Sequence, residues 1–199
     1  MKKVFLAVAI VASSLSFAQK FGVKAGTNIS TISTDGYDET KAKMGFYAGA
    51  FYNIPVTEMF RIQPEVIYNN LGSEAKGSVL GQPYTRALDL NYISIPVMLQ
   101  IKPTEHFYVE AGPTFGFLVG AKTNTSYNGT TVIRELNNDD FNKFNLGVGG
   151  GLGVDITDNI GINARYIYGF SDVTKPDSDP NIKAKNRNNT VQIGLNYKF

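Results

Sequence analysis

Residues 144–170 read Phe-Asn-Leu-Gly-Val-Gly-Gly-Gly-Leu-Gly-Val-Asp-Ile-Thr-Asp-Asn-Ile-Gly-Ile-Asn-Ala-Arg-Tyr-Ile-Tyr-Gly-Phe. Two alternating runs meet there at one short turn. In the first, Phe144, Leu146, Val148, Leu152, Val154 and Ile156 alternate with Gly147, Gly149, Gly151, Gly153 and Asp155. In the second, Ile160, Ile162, Ala164, Tyr166, Tyr168 and Phe170 share one parity, against Asn163 and Arg165. Successive side chains of a strand point to opposite faces, so this is a hairpin with one apolar face and one small or polar face. Its turn, Thr157-Asp158-Asn159-Ile160, recurs in pattern as Thr57-Glu58-Met59-Phe60 and Thr104-Glu105-His106-Phe107. Each copy joins two alternating stretches. One kind of tight turn, repeated at one end of successive hairpins, is the mark of a barrel.

Working outward from this hairpin gives eight strand candidates: 20–30, 43–54, 59–71, 86–102, 107–121, 141–156, 160–170 and 189–199. The stretch 43–54 is apolar on both faces, so its phase stays open. Pro96 removes one backbone donor within 86–102, which marks a place for a bulge. Connections alternate in length. Short ones fall near 55–58, 103–106 and 157–159, and long ones near 31–42, 72–85, 122–140 and 171–188. The long connections are rich in Asn, Asp, Gly, Ser, Thr and Lys and are expected to be solvated and mobile. Strands of about 10 residues, short periplasmic turns and long outer loops describe an all-β, eight-stranded antiparallel up-and-down transmembrane β-barrel.

Lys2 and Lys3 precede an apolar run from Val4 to Val11, and Ser16-Phe17-Ala18 offers a small-x-small cleavage site. Residues 1–18 are therefore expected to be a secretory signal, leaving 19–199 as one barrel domain in the cell outer membrane. Removing them lowers Lys+Arg from 19 to 17, equal to Asp+Glu at 17, so the mature chain is neutral. Neutrality argues against a nucleic-acid surface. The absence of Cys excludes disulfides, thiolate metal sites and a thiol nucleophile. Charged residues make up 18% of the chain, with Gly and aromatics abundant. The usual charged fraction is about 25%, so the composition suits a surface that meets lipid better than one that meets water.

Alternation alone does not say which face points outward, because a soluble barrel alternates too. The polar face decides: it carries Gly, Asn, Thr and Gln with few charges, as a narrow packed lumen does. Arg61, Glu65, Glu110 and Arg165 then fall inside. Buried charges need partners, so they are expected to form an internal Arg–carboxylate network linking three strands. The apolar face would meet outer-membrane lipid. Phe60, Phe107, Tyr197 and Phe199 lie by the short turns, and Tyr68, Phe117 and Phe170 by the long loops, as two interfacial girdles would. Tyr197 and Phe199, ending an alternating strand, have the form of the C-terminal signal read by the barrel-assembly machinery.

The segments Phe21-Gly22-Val23-Lys24-Ala25-Gly26, Asn91-Tyr92-Ile93-Ser94-Ile95-Pro96, Tyr108-Val109-Glu110-Ala111-Gly112-Pro113 and Gly194-Leu195-Asn196-Tyr197-Lys198-Phe199 carry a family likeness. Through them the chain resembles the small Bacteroidetes-type outer-membrane β-barrels, labelled porin-family or PorT-like. The resemblance covers essentially the whole mature chain. It implies the eight-stranded barrel, no activity, and no catalytic residues to carry over.

Other motifs reduce to simpler terms. Gly147 to Gly153 lacks the spacing of a phosphate loop and has no helix after it. Asp177, Asp179 and Asn181 begin like a calcium loop, but Ile182 and Asn188 stand where Gly and Glu are needed. His106, the sole histidine, sits in a short turn and no long loop holds another, so no metal site, cofactor or enzyme is expected. Asn124-Thr125-Ser126 and Asn128-Gly129-Thr130 match glycosylation acceptors of another cellular context. The function expected is that of a structural or interaction barrel, with loops 122–140 and 171–188 meeting an extracellular or envelope partner. A narrow channel for small solutes or ions, and a part in an envelope secretion complex, are the alternatives.

Overall fold

The computed structural model of the chain describes residues 20–34, 41–79, 82–127, 130–175 and 186–199. The proposed signal, residues 1–18, lies outside them, as do Asp177, Asp179 and Asn181. The strands are β1 (Lys20–Thr34), β2 (Lys41–Pro55), β3 (Phe60–Val79), β4 (Gln82–Ile101), β5 (Phe107–Tyr127), β6 (Thr130–Glu135), β7 (Phe144–Asp155), β8 (Ile160–Asp172) and β9 (Asn186–Lys198). Each neighbouring pair is antiparallel. Eight strands close a ring in the order β1-β2-β3-β4-β5-β7-β8-β9, and β9 returns to pair with β1 from Gly22↔Lys198 to Thr34↔Asn186. The remaining strand, β6, hairpins onto the far part of β5 outside the ring.

The three tight turns share one hydrogen-bond scheme. Thr57 Oγ1 accepts from the Phe60 amide at 3.0 Å, Thr104 Oγ1 from Phe107 at 3.0 Å, and Thr157 Oγ1 from Ile160 at 2.9 Å. What the free position contributes in all three turns is its carbonyl: Met59 O accepts from Lys102 N at 2.9 Å, His106 O from Asp155 N at 2.7 Å, and Asn159 O from Lys198 N at 2.7 Å; Asn159 adds a bond from its Nδ2 to Lys198 O at 2.7 Å. This is why Thr is repeated and the third residue varies.

The ring is inside out relative to a water-soluble core. Val148, Leu152, Val154, Ile162, Ile193 and Leu195 face outward, with Leu195 56% exposed. Glu65, Arg165, Gln192, Asn28 and Asn69 are buried in the lumen, Arg165 to 2% exposure. In hydrocarbon a closed ring satisfies every backbone group between strands, which an open sheet would not. β2 takes the same phase: Lys43, Tyr47, Phe51 and Asn53 are buried while Met44 and Phe46 are exposed.

Two local features differ from expectation. Pro96 keeps its register opposite Thr114, and the β3–β4 ladder merely lapses between Pro64↔Val97 and Ile67↔Ser94. The register shift lies further along, where Asn91 pairs with Gly120 and Tyr92 with Leu118, so Val119 is the extra residue. That bulge inverts the parity of β5. Tyr108, Glu110, Thr114 and Leu118 are buried before it, Ala121 and Thr123 after it. The connections 72–85 and 122–140, expected as solvated loops, are mostly strand: β3 and β4 run on to Val79↔Gln82, and β5 and β6 pair up to Tyr127↔Thr130. Further from the lipid the faces are polar or meet water, so β-formers such as Thr125 and Thr131 carry no apolar alternation to reveal them. Gly72 holds φ +141° here, and a Cβ at that position would collide with the Leu88 carbonyl.

Charge placement on the two kinds of strand surface gives opposite outcomes. Val148→Arg, mid-strand on the lipid face, is expected to lower unfolding free energy by about 2–4 kcal/mol. Val132→Arg, on β6, should stay within about 0.5 kcal/mol. Urea titration of the refolded protein in lipid vesicles, followed by tyrosine fluorescence, measures both.

Candidate functional site

The lumen is filled in layers, and its centre is charged. Arg165 on β8 donates from Nη1 and Nη2 to both carboxylate oxygens of Glu65 on β3, at 2.9 and 2.8 Å. Its Nε donates to Glu110 Oε1 on β5 at 2.8 Å. Lys24 on β1 donates to Glu65 at 3.1 and 3.3 Å. Two cations and two carboxylates therefore balance, all buried. Amides complete the set: Gln63 Nε2 donates to Glu65 at 2.7 Å and Gln100 Nε2 to Glu110 at 3.0 Å. Asn53 Nδ2 donates to the carbonyl oxygens of both glutamines at 2.9 Å.

Small residues beside large ones make this packing fit. A Cβ at Gly151 would sit 3.0 Å from the Arg165 Cα, and one at Gly149 would sit 2.7 Å from the Met98 methyl. A Cβ at Gly153 or Gly22 would enter the rings of Tyr108 and Phe51. The alternating glycines of β7 are thus the space that Arg165, Met98 and Tyr108 occupy.

Of the four charged residues singled out from sequence, Glu65, Glu110 and Arg165 meet. Arg61 does not. It stands one residue past Phe60, at the rim by the tight turns, where Nη1 reaches Asn53 Oδ1 only at 3.5 Å and Nε has no partner among the described residues. Lys24 holds the fourth place in the network. Its signal was parity: it shares the polar face of β1 with Gly22, Gly26 and Asn28. At the same rim Asp155 takes Lys102 at 2.8 Å and Lys198 at 2.5 Å. Arg61, Lys102, His106 and Asp155 line an open bowl of 510 Å³ there.

The other end of the lumen is apolar. Ile32, Leu90, Tyr92, Leu118 and Ala121 pack with Phe141 and Val173, which come from the connections after β6 and β8. These connections are tied across the opening: Asn142 N donates to Val173 O at 2.9 Å, Lys175 N to Asp140 O at 3.2 Å, and Phe141 bridges Thr174. Between cap and rim the described lumen holds voids of 30 and 10 Å³. A water molecule needs about 10–15 Å³, so the larger void has room for one or two waters and neither has room for a larger solute.

Outside the cap, β3, β4, β5 and β6 continue as a sheet beyond the ring. Lys43 pairs with Asp89 at 2.7 Å near its base, with Asn70 and Asn124 also bonded to Asp89. A 3-10 turn, Asn138–Asp140, follows β6, and the Lys143 ammonium bonded to Asp139 holds that carboxyl below its usual range. Among the described residues no group of three or more His, Cys, Asp or Glu is arranged to hold a metal. Tyr197 and Phe199 lie on the outer face, 43% and 66% exposed, with Phe199 stacked on Phe21 at 5.7 Å.

A model of the outer membrane protein beta-barrel domain family matches residues 17–175, and the chain belongs to that family. Among solved structures it is similar to Ail, the attachment invasion locus protein of Yersinia pestis. Identity is 20%, over 92% of this chain and 100% of that one, with a TM-score of 0.50. The complex of Ail with the heparin analogue sucrose octasulfate matches at the same values, 20%, 92%, 100% and 0.50. Neisserial surface protein A is similar at 13% identity over 90% of this chain and 97% of that one, with a TM-score of 0.49. At such identities the likeness is one of fold. No curated protein matches the chain. The protein is an integral outer-membrane barrel whose apolar band meets lipid and whose long connections are extracellular.

The central network can be tested by its charge balance. Arg165→Met is expected to cost about 3–5 kcal/mol, because it strands a buried carboxylate. Arg165→Met with Glu110→Gln leaves the neutral Lys24–Glu65 pair and should recover part of that loss. Urea unfolding of the three refolded proteins decides; a single variant within 1 kcal/mol of wild type, on the order of a surface ion pair, would contradict it.

Proposed function

From its place in that family, we propose that the chain is a closed membrane anchor. Its working part is the extracellular end: the extended sheet of β3 to β6 and the connections 122–140 and 171–188. The observation that carries this is the filled lumen, with apolar cap, charged centre and salt-bridged rim in series. An eight-stranded ring is just wide enough for its own side chains, which leaves the outer end as the part free to meet another molecule. A protein that binds and anchors, and not an enzyme, suits a chain whose sole histidine sits at the turn rim. A narrow ion or solute channel is less well supported, since a path would have to open through three sealed layers.

The finer kinship, to small Bacteroidetes-type PorT-like barrels, rests on the four quoted segments. It favours an envelope protein as partner and keeps a part in a secretion complex as the second reading. Export by residues 1–18, and recognition of Tyr197 and Phe199 by the barrel-assembly machinery, complete the proposed life history.

Photo-crosslinking in intact cells separates the readings. A benzoylphenylalanine replacing Val132 or Tyr127 is expected to capture a defined protein at the cell surface. The same residue replacing Glu58 or Asp158, on the tight turns, should capture none. Cross-links confined to the turn positions would overturn the outer-end reading in favour of an envelope complex joined from the periplasm.

A further inference from the structure

Every strand of the ring has two neighbours over its membrane stretch, but β6 has one. It pairs with β5 from Lys122↔Glu135 to Tyr127↔Thr130, and none of the described residues pairs with its other edge. All six of its residues are exposed, with Val132 at 62% and Ile133 at 63%. Such an edge is a template for another strand.

The hydrogen-bond phase of the edge follows from its neighbour. Leu136 N donates to Ala121 O at 2.9 Å, which makes that pair a bonded one. Bonded and non-bonded pairs alternate in an antiparallel ladder, so Thr130, Val132 and Arg134 bond to β5. The Ser126 and Thr131 hydroxyls lie 2.8 Å apart, as side chains of a non-bonded pair do. Thr131, Ile133 and Glu135 therefore turn their N–H and C=O groups outward. The edge has no Pro and no Lys. The opposite side of the sheet, β3 beyond Glu74, presents Lys76, the residue most used to blunt an edge, whereas the charges of β6 are one of each sign, Arg134 and Glu135.

We infer that the outer edge of β6 is a docking site for an extended segment of a second protein, added antiparallel to Thr130–Glu135. This deepens the outer-end reading and rests on it. The segment places a β-branched residue opposite Ile133, a carboxylate opposite Arg134 and an ammonium opposite Glu135. Backbone bonds supply the attachment and these side chains the choice of partner. A second copy of the chain fits less well. Symmetry about the membrane normal makes two β6 strands run the same way, and an antiparallel register centred on Ile133 sets two Arg134 side chains as diagonal neighbours.

The probe is the peptide acetyl-Lys-Glu-Val-Val-Thr-Thr-amide, added to the refolded full chain in detergent micelles. Amide hydrogen exchange is read by NMR. The amides of Thr131, Ile133 and Glu135 should slow about tenfold or more on saturation, corresponding to about 1.4 kcal/mol or more, while those of Thr130, Val132 and Arg134 stay as slow as before. Ile133→Pro removes one outward N–H and leaves the bonds to β5, so it should abolish the effect. Ile133→Thr keeps the N–H and should weaken it only several-fold. A boiled-versus-unboiled gel shift checks that each variant is folded. No slowing, slowing without the alternate pattern, or slowing untouched by Ile133→Pro would overturn the proposal. So would protection that rises with protein concentration in the absence of peptide, which would assign the edge to self-association. If the peptide test fails while Val132 and Tyr127 still cross-link at the cell surface, the β6 edge is wrong and the outer-end reading stands.

Discussion

The guanidinium of Arg165 lies in the middle of a ring whose outer surface is hydrocarbon, and the rest of the structure depends on meeting its charge there. Two carboxylates from two other strands must arrive at 2.8–2.9 Å, and a second cation must balance the second carboxylate. Desolvating such ions costs several kcal/mol each unless partners and geometry are in place. The constraint therefore fixes β1, β3, β5 and β8 relative to one another across the lumen. It also explains the glycines of β7, since Gly149 and Gly151 are the room that the Arg165 side chain needs. Lipid contacts on the outer face are non-specific by comparison and set only which residues point out.

Along the barrel axis the interior changes from salt-bridged rim, through amides and the charged centre, to an apolar cap. The cap is the part built by the connections, because Phe141 and Val173 reach back into the ring. The described parts of the connections after β6 and β8 are thus seated on the barrel, and β3 to β6 continue as sheet beyond it. Under the proposed reading, elements held in this way suit recognition at the outer end, and the side chains that fill the described lumen favour that reading over conduction.

Much of this was legible in the sequence, for physical reasons. Period-2 alternation survives where one face meets lipid and the other a polar lumen, so seven of the membrane strands could be placed and phased; 43–54, apolar on both faces, could be placed but not phased. The Thr-acid-x-apolar turns were legible because a hydroxyl is needed for the amide of the fourth residue. Glu65, Glu110 and Arg165 could be paired from parity alone. Arg61 was misplaced because parity gives the face and not the height. Its distance from Phe60, one residue against five for Glu65, was the missing clue. β6 and the far ends of β3, β4 and β5 were hidden because strands polar or wet on both faces do not alternate. The bulge at Val119 had no marker, since neither Gly nor Pro is required there, whereas Pro96 announced one and only interrupted a ladder. The cap could not be foreseen, because the burial of Phe141 and Val173 arises from contacts between distant connections.

Planar-bilayer conductance of the refolded, gel-shift-verified protein tests the central claim of a closed lumen most directly. The structure calls for a silent bilayer at moderate voltage, with wild type and a cap variant such as Phe141→Ala alike, because the charged centre and the rim remain sealed. Discrete, reproducible current steps that change when Glu110 or Arg165 is neutralised would contradict it and establish a conducting path through the network.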